Sequence, residues 1–354
     1  MTTIQQSTRA YEAWLKRQLR GDIVSADLAS KHAKMRESAF VFLRATYWRW
    51  AETILEICPD LASAPTVLAV GDIHLENYGT WRDAEGRLAW GVNDFDEAAD
   101  MPYALDLVRL ATSAMLAGTA SSATACDALL EGYAQGLRAP MPISLDRDYQ
   151  LLRQLVEVGE KERAKFFDKI AKAVAKPARA PQRYRAALVK AMPAAGLKIK
   201  TARRMDAGAG SLGRPRWIGV AEWRGSPVVR EAKALVMSAW ARVHAPRATK
   251  IRGSEIGNGR FHSLDPWYRV DKGLVVRRLS PNNRKIDAKI LGGKLIAGET
   301  LRLMGFELAN LHIGVADKRA VITRDLRRRK KGWLADAAQT AAKACTQDFN
   351  AWRG

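Results

Sequence analysis

Cysteine is scarce in this sequence, and long apolar runs are absent. Its 354 residues include only three cysteines, Cys58, Cys126 and Cys345, which lie far apart. This spacing favours neither a disulfide framework nor a zinc site, so we expect buried thiols. No apolar stretch is long enough to span a bilayer, and charges interrupt residues 1–20, where a signal peptide needs an apolar centre. These absences predict a cytoplasmic protein with no membrane partner.

Acidic residues are few compared with basic ones. The sequence has 58 Lys and Arg against 37 Asp and Glu, a formal net charge of +21. Such a charge steers anionic partners toward the protein, and nucleotides, nucleic acid and phosphorylated substrates all fit it. The basic runs themselves are typical of solvated faces. With 47% hydrophobic residues, the chain can form one large domain or two lobes.

The spacing of apolar residues predicts alternating helical and β-like regions. Periods typical of strands occur at residues 66–70, 78–81, 88–92, 217–223, 228–232 and 274–279. Helical periods occur at residues 8–58, 105–116, 123–137, 146–174, 234–243, 298–311 and 333–352. A passage rich in Pro, Ala and Arg at residues 176–193 indicates a lobe boundary.

A first polar cluster, GDIHLENYG at residues 71–79, follows the β-like run 66–70. A phosphoryl-transfer site needs a carboxylate that accepts the proton of the attacking hydroxyl, and an amide oxygen that holds a metal ion. Asp72 and Asn77 supply both in one short loop. An Asx turn capped by Asn77 is the alternative, and this cluster taken alone favours the turn.

A second cluster, VNDFDEA at residues 92–98, follows the predicted hairpin. Asp94 ends the strand, and Asp96 and Glu97 stand just beyond it. Mg²⁺ prefers carboxylate and amide oxygens together with water and phosphate oxygens, so Asp94 and Asp96 are candidate ligands alongside Asn77. Salt bridges between these acids and arginines are the alternative.

A third cluster, GAGSLG at residues 208–213, is rich in glycine. A GxGxxG sequence alone is weak evidence and usually opens a helix in dinucleotide-binding proteins. Here a β-like run follows it, which favours the strand–loop–strand arrangement that covers ATP phosphates in kinases. The candidate phosphate-binding residues are Gly208, Gly210, Ser211 and Gly213. The next strand adds Arg230, with Lys233 close behind, as the cation for the phosphates.

Together the clusters resemble the signature of aminoglycoside phosphotransferases, choline kinases and their relatives: a GD-x-H-x-x-N loop, a metal-binding Asp, and a later P…D-L at a helix start. Nearly end to end, the chain is similar to the bacterial family known as domain of unknown function 2252. That family's FxFLR segment (residues 40–44), GSLG loop and basic-Glu-Ala strand recur here in order.

The phosphotransferase resemblance implies roles for the matching residues. Asp72 becomes the catalytic base, while Asn77 and Asp94 become metal ligands. His74 stands where protein kinases usually have Lys, which indicates a small-molecule acceptor. Asp106 becomes a structural residue at the helix start.

One position departs from that pattern. Arg230 stands where a Lys is expected, so the phosphate-binding cation could instead be Lys233. The glutamate that should pair with this cation is open: Glu231 lies on the opposite strand face from Arg230, and Glu255 is a candidate.

The order of the clusters is reversed relative to kinases, in which the glycine loop comes first. We therefore expect an α+β, bilobal, protein-kinase-like fold that is circularly permuted, with a small antiparallel-sheet nucleotide lobe and a larger, mainly helical lobe. Residues 1–193 would form the helical lobe with the catalytic and metal loops. Residues 194–290 would form the nucleotide lobe, and residues 291–354 would add helices that pack back on the helical lobe.

The expected function is phosphoryl transfer from ATP, with Mg²⁺, to a hydroxyl of a small molecule. A nucleotide-binding pseudokinase and a nucleotidyl-transferring enzyme are alternatives, the first because of Arg230. A nucleic-acid-binding protein is a further alternative, although the basic stretches lack the regular aromatic interleaving of stacking surfaces.

Overall fold

The computed structural model describes residues 2–118, 122–204, 209–285 and 294–354. Within these ranges the chain is a mixed α+β fold with 14 α-helices and three small antiparallel sheets. The predicted α+β class is therefore confirmed. Among the helices described, none has the length and apolar character needed to cross a membrane.

The helices are distributed along the whole described chain, with strands between several of them. They are α1 (Ile4–Gln18), α2 (Ser25–Lys34), α3 (Ala39–Ala45), α4 (Tyr47–Ile57), α5 (Tyr103–Leu116), α6 (Ser122–Arg138), α7 (Gln150–Val156), α8 (Glu160–Ala175), α9 (Gln182–Lys190), α10 (Ala239–His244), α11 (Gly253–Gly257), α12 (Lys294–Gly314), α13 (Arg319–Arg328) and α14 (Trp333–Arg353).

The strands are short and fall into three groups. They are β1 (Thr66–Ala69), β2 (Tyr78–Arg82), β3 (Leu88–Val92), β4 (Ala99–Pro102), β5 (Ile143–Ser144), β6 (Lys200–Arg203), β7 (Arg216–Trp223), β8 (Ser226–Ala234), β9 (Arg269–Asp271) and β10 (Leu274–Leu279). The sheets have the orders β1-β4, β2-β3-β5 and β6-β7-β8-β10-β9. The predicted hairpin at residues 78–81 and 88–92 is confirmed as β2 and β3.

One predicted helix is shorter than expected. The sequence predicts a helix at residues 234–243, but β8 continues to Ala234, and the amide of Leu235 then donates to Gly273 O over 2.8 Å. Helix α10 begins only at Ala239, where the hydroxyl of Ser238 accepts from the amide of Ala241. Ala234 and Leu235, which the apolar period predicts to be helical, instead continue the strand pairing beside β10.

Helices α8 and α9 pack against the five-stranded sheet. Ile170 of α8 lies in a small core with Ala202, Ile218 and Val229 of that sheet. Leu188 of α9 lies so close to β7 that a Cβ on Gly219 would be 3.3 Å from its Cβ atom. Residues that precede the predicted lobe boundary near 193 thus cover the sheet that follows it.

Helix α5 is the central element of the larger core. Every residue from Tyr103 to Ala114 is buried. Helix α14 packs along it, and Thr112 Oγ1 lies 3.4 Å from Ala338 O of that helix. Sequence positions far apart therefore meet around α5, and the loop after β1 sits directly on this helix.

Helices α6 and α12 approach each other backbone to backbone. A Cβ built on Gly132 would lie 1.7 Å from Arg302 O, and one built on Gly305 would lie 2.1 Å from Leu129 O. Only glycine fits at such distances. This contact holds α12 next to α5 and the site described below.

Candidate active site

Residues from all three polar clusters line a single cleft. Its walls include Asp72 and Asn77 from the first cluster, Asp94 from the second, and Gly210 and Ser211 from the third. The other lining residues are Arg44, His74, Asp96, Glu97, Arg214 and Lys285. The enclosed space is small, about 50 Å³. The fold thus brings together clusters that five helices, α5 to α9, separate along the sequence.

Asp106 fixes the backbone at the start of the first cluster. Its two carboxylate oxygens accept hydrogen bonds from the amides of Val70 (2.7 Å) and Gly71 (3.0 Å). Its Oδ2 also lies 3.1 Å from His312 Nε2 of α12, and both side chains are fully buried. Gly71 has a φ of +81°, and a Cβ there would lie 2.5 Å from Glu97 O, so this turn requires glycine. The structural role that the resemblance implies for Asp106 agrees with these contacts.

Asp72 is held by a buried arginine. Arg109 of α5 donates from Nη2 to Asp72 Oδ1 over 2.5 Å and to Leu43 O over 2.9 Å. Its guanidinium lies over the rings of Tyr47 (4.9 Å) and Trp50 (5.1 Å). Burial raises the pKa of Asp72, Arg109 opposes that rise, and the net pKa is above the usual aspartate value.

His74 lines the same cleft and is buried. Its Nδ1 accepts a hydrogen bond from the amide of Glu76 over 3.1 Å. Burial, with Arg44 and Lys285 nearby, holds the pKa of His74 well below its usual value. The ring is therefore neutral near pH 7, with its proton on Nε2.

Asn77 presents an amide oxygen that has no partner. Its Nδ2 donates to the carbonyl oxygens of Asp72 (3.2 Å) and Asp94 (3.1 Å), which joins the first two clusters. Its Oδ1 is buried and has no hydrogen bond within the described residues. A buried acceptor without a partner is uncommon and indicates a missing ion, water or ligand.

Lys233 of β8 pairs with both aspartates of the second cluster. Its Nζ lies 2.5 Å from Asp96 Oδ2 and 3.6 Å from Asp94 Oδ1. Burial raises the pKa of Asp94, but Lys233 and the neighbouring cations outweigh burial and hold that pKa well below its usual value. Burial, reinforced by Asp94, raises the pKa of Asp96. Asp94 is therefore the more acidic member of the pair.

Arg230, the other candidate cation, lies elsewhere. It is three residues from Lys233 and thus on the opposite face of the strand. Its Nε donates to Ala191 O over 2.9 Å, and its guanidinium lies 4.0 Å from the centre of the Trp267 ring. Arg230 does not line the cleft, and its contacts hold α9 and the 265–268 segment to the sheet.

Among the described residues, neither glutamate considered as a partner of the cation forms a salt bridge with Lys233. Glu255 pairs with Lys250 (2.8 Å) and Arg252 (2.8 Å). Glu231 shares a strand face with Lys233 but is enclosed by three arginines, Arg204, Arg216 and Arg277. The acidic partners of Lys233 are therefore Asp94 and Asp96, where the sequence predicts a glutamate.

The glycine-rich cluster is only partly described. Gly208 lies outside the described residues. A Cβ on Gly210 would lie 2.9 Å from Arg44 O and 3.2 Å from Asp72 Oδ2. Ser211 Oγ accepts from Arg216 Nη2. Gly213, at φ +94°, points away from the cleft toward Leu28, and its carbonyl accepts from the amide of Val24.

Three buried cations around the cleft have no signal in the local sequence. They are Arg109, Lys31 and Arg214. Lys31 Nζ donates to Gly210 O (3.3 Å) above the Trp48 ring, and burial lowers its pKa to about 8. Arg214 reaches Glu97 (2.6 Å) and Asp96 (3.2 Å). In the sequence, each looks like an ordinary surface cation of a helix or loop, because the residues that it contacts are far away along the chain.

A second cavity of about 190 Å³ adjoins the cleft at Lys285. Aromatic rings of Trp81, Phe95 and Tyr268 line it, together with Arg277 and Arg278. Three buried polar atoms of its lining residues have no partner within the described chain: Asn93 Oδ1, Asn283 Oδ1 and Arg278 Nε. This cavity can therefore take a flat molecule with hydrogen-bonding groups on its edge.

A divalent cation fits the cleft only as a weakly held ion. Among the described residues, no group of three or more His, Cys, Asp or Glu side chains could hold a metal. The candidate donors in the lining are Asn77 Oδ1, which has no partner among the described residues, and the Asp94 carboxylate. Mg²⁺ is commonly bound by one or two protein oxygens together with water and substrate phosphates, which matches this donor set.

Comparison with known proteins identifies the family. Residues 23–200, half of the chain, match a family described as "Uncharacterized protein conserved in bacteria (DUF2252)". The chain belongs to the DUF2252 family. No curated protein and no solved structure matches it. In this DUF2252 protein, the residues of the first two clusters lie inside the matched range, whereas Gly210, Ser211, Arg214 and Lys285 lie beyond it.

Proposed function

We propose that this protein is a Mg²⁺-dependent phosphotransferase that moves the γ-phosphoryl group of ATP to a hydroxyl of a small molecule. The observation that carries this proposal is the single cleft in which Asp72, Asn77 and Asp94 face Gly210 and Ser211. Phosphoryl transfer depends mostly on positioning and electrostatic stabilisation, and these residues supply a base, metal ligands and a glycine turn around one cleft.

Each residue has a role in this mechanism. Asp72 Oδ2 accepts the proton of the acceptor hydroxyl as the new O–P bond forms and ADP leaves with the electron pair of the broken bond. Arg109 holds Oδ1, so it is a positioning residue for the base. Asn77 and Asp94 would hold Mg²⁺, which neutralises phosphate charge when bound. Lys233 is the candidate cation for the phosphates once Asp94 engages the metal.

The kinase-like, circularly permuted fold is part of the proposal. In support, the five-stranded sheet begins with a strand–glycine loop–strand unit, and β8 follows with the lysine that faces the acids. Two helices, α10 and α11, separate β8 from the remaining strands. The cavity beside Lys285 gives space for the nucleoside, since its aromatic lining suits a base.

Binding of a triphosphate requires the cleft to widen. A space of about 50 Å³ is far below the roughly 300–1,000 Å³ of ordinary ligand sites. The turn at Gly210 and Ser211 closes one side of the cleft, where Lys31 donates to Gly210 O and Arg216 donates to Ser211 Oγ. We expect ATP to separate this turn from Asp72.

The test is ATP turnover and nucleotide binding with purified protein. We expect Mg²⁺-dependent stabilisation by ATP in a thermal-shift assay and loss of turnover in Asp72→Asn, with ATP binding retained. ATP labelled at different phosphorus atoms identifies the group that reaches the product. Transfer of the nucleotidyl group would replace this mechanism with the nucleotidyl-transfer alternative, and binding without transfer would indicate a pseudoenzyme.

A further inference from the structure

The charged groups of the cleft divide between its two ends. At one end, Asp94 and Asp96 lie with Arg214 of the lining and with Lys233, which pairs with them from behind the lining. Arg44 and His74 lie with Asp72 at the other, where an acceptor hydroxyl must be if Asp72 is the base. The groups at this second end therefore determine which acceptors can bind.

Arg44 is the most prominent group at the Asp72 end. It is the last residue of the FxFLR segment and forms a salt bridge with Glu76 (2.6 Å). Only 15% of its side chain is exposed. Its Nε is buried and has no hydrogen-bond partner within the described residues. A shielded guanidinium interacts with charge more strongly than one in open solvent, and it can bind a carboxylate or phosphate bidentately.

His74 adds a second donor at the same end. Because its Nδ1 accepts from the Glu76 amide, the neutral ring carries a hydrogen on Nε2. This N–H can donate to an oxygen of a ligand without adding charge. Two donors, one charged and one neutral, thus border the space in front of Asp72.

The carboxylates near Arg44 are already paired with cations. Both acids there already have a guanidinium partner: Asp72 pairs with Arg109, and Glu76 pairs with Arg44. Lys31 adds a further positive charge beneath the Gly210 carbonyl. Within the described lining, an ammonium group would therefore meet paired carboxylates and cations, which disfavours its binding.

We propose that the acceptor is an anionic hydroxy compound, either a hydroxy acid or a phosphorylated alcohol, whose anionic group binds Arg44 while its hydroxyl faces Asp72. This inference rests on the phosphotransferase function proposed above and specifies its substrate class. The shared recognition element is a pair of oxygens that share negative charge on one carbon or phosphorus atom, opposite one guanidinium.

Four probes on one three-carbon scaffold test the proposal: glycerate, glycerol 3-phosphate, glycerol and 3-amino-1,2-propanediol. Their equilibrium binding is measured by calorimetry with full-length protein saturated with Mg²⁺ and a non-hydrolysable ATP analogue. We expect at least one anionic probe to bind at least tenfold more tightly than glycerol, and the amine to bind most weakly. The ranking of glycerate against glycerol 3-phosphate distinguishes carboxylate from phosphate.

Variants of Arg44 connect this preference to the proposed group. Arg44→Gln should remove the tenfold advantage of the anionic probe and leave glycerol unchanged. Arg44→Gln combined with Glu76→Gln should behave in the same way, which excludes an effect of an unpaired Glu76. Arg44→Lys should retain part of the preference. Arg17→Gln, an exposed charge change on α1, is the matched control and should leave all four affinities unchanged.

The outcomes separate the two proposals. If the ATP analogue does not bind, the phosphotransferase function itself is rejected. If the analogue binds but the protein prefers the amine, prefers glycerol or binds none of the four probes, only the anionic acceptor is rejected. If Arg44→Gln bound the ATP analogue more weakly but ranked the four probes as wild type does, Arg44 would belong to the nucleotide phosphate site. That result would also reject the anionic acceptor.

Discussion

Arg109 Nη2 lies 2.5 Å from Asp72 Oδ1, and this contact links the central helix α5 to the loop after β1. The arginine is fully buried, whereas 21% of the Asp72 side chain is exposed. One carboxylate oxygen is therefore fixed from inside the core. The other faces the turn at Gly210, the side from which a ligand would approach.

The first prediction concerns the stability that this buried pair provides. Arg109→Met removes the charge partner of Asp72 inside the core, so we expect the free energy of unfolding to fall by about 3 kcal/mol. Arg109→Lys should lose less, since one charged donor remains. Urea unfolding measures both values. Arg185→Met, an exposed change on α9, is the control and should lower the free energy of unfolding by less than about 0.5 kcal/mol. If Arg109→Met lost no more stability than this control, the prediction would be wrong.

The second prediction separates the two candidate phosphate cations. Lys233→Met leaves Asp94 and Asp96 without their lysine, and we expect the Mg²⁺–ATP thermal shift to disappear, because nucleotide affinity drops about 10- to 100-fold. Arg230→Met should lower stability by about 1–2 kcal/mol through loss of its stack on Trp267 and its carbonyl contacts, while the nucleotide shift remains. The reverse pattern would return the phosphate-binding role to Arg230.

The third prediction uses two glycines in different surroundings. A Cβ on Gly210 meets a backbone oxygen at 2.9 Å, so Gly210→Ala should reduce the free energy of unfolding by about 1 kcal/mol. Gly298 lies in α12, where a Cβ would meet no atom of the described residues within 4 Å, and Gly298→Ala should increase stability by about 0.5–1 kcal/mol. Denaturant midpoints of both variants test this difference in sign.

The fourth prediction concerns pH and the buried Glu231. Burial raises its pKa, but Arg277, Arg204 and Arg216 together lower it much further, so the folded-state pKa lies well below the ordinary value of 4.5. A lowered carboxyl pKa stabilises the fold above pH 4.5, and this contribution is lost as the pH falls below that value.

Glu231→Gln should therefore cost about 3 kcal/mol at pH 7, because three arginines lose their buried counter-charge. The difference between wild type and variant should shrink as the pH falls from 4.5 toward 2. Unfolding curves at pH 7, 4 and 3 measure it. A difference that stays constant over this range would show that the Glu231 charge is not responsible.

The sequence predicts those parts of the fold whose pattern is local. The β2–β3 hairpin surrounds a turn with alternating apolar residues, and α12 and α14 have long helical periods, so all four elements are recovered. The glycine-rich turn is likewise correctly expected to precede a strand, β7, which begins at Arg216. Local polarity and spacing suffice for such elements.

Contacts between distant residues could not be predicted in the same way. Arg109 belongs to an apolar helix, and nothing near it in sequence reveals Asp72 as its partner. Lys31 similarly donates a hydrogen bond to the carbonyl of Gly210, which is 179 positions away in the sequence. The choice of Lys233 over Arg230 follows from strand register, since residues three apart point to opposite faces, and the sequence does not state which face meets the acids.

The contact between α6 and α12, together with the bond from His312 to Asp106, has a consequence for protein synthesis. The β1 loop and α5 leave the ribosome long before residues 294–314 exist to cover them. Until α12 and then α14 emerge, the apolar surface of α5 and the charges of Asp106 and Arg109 remain without their final neighbours. The core around α5 can therefore close only after α12 and α14 have been made.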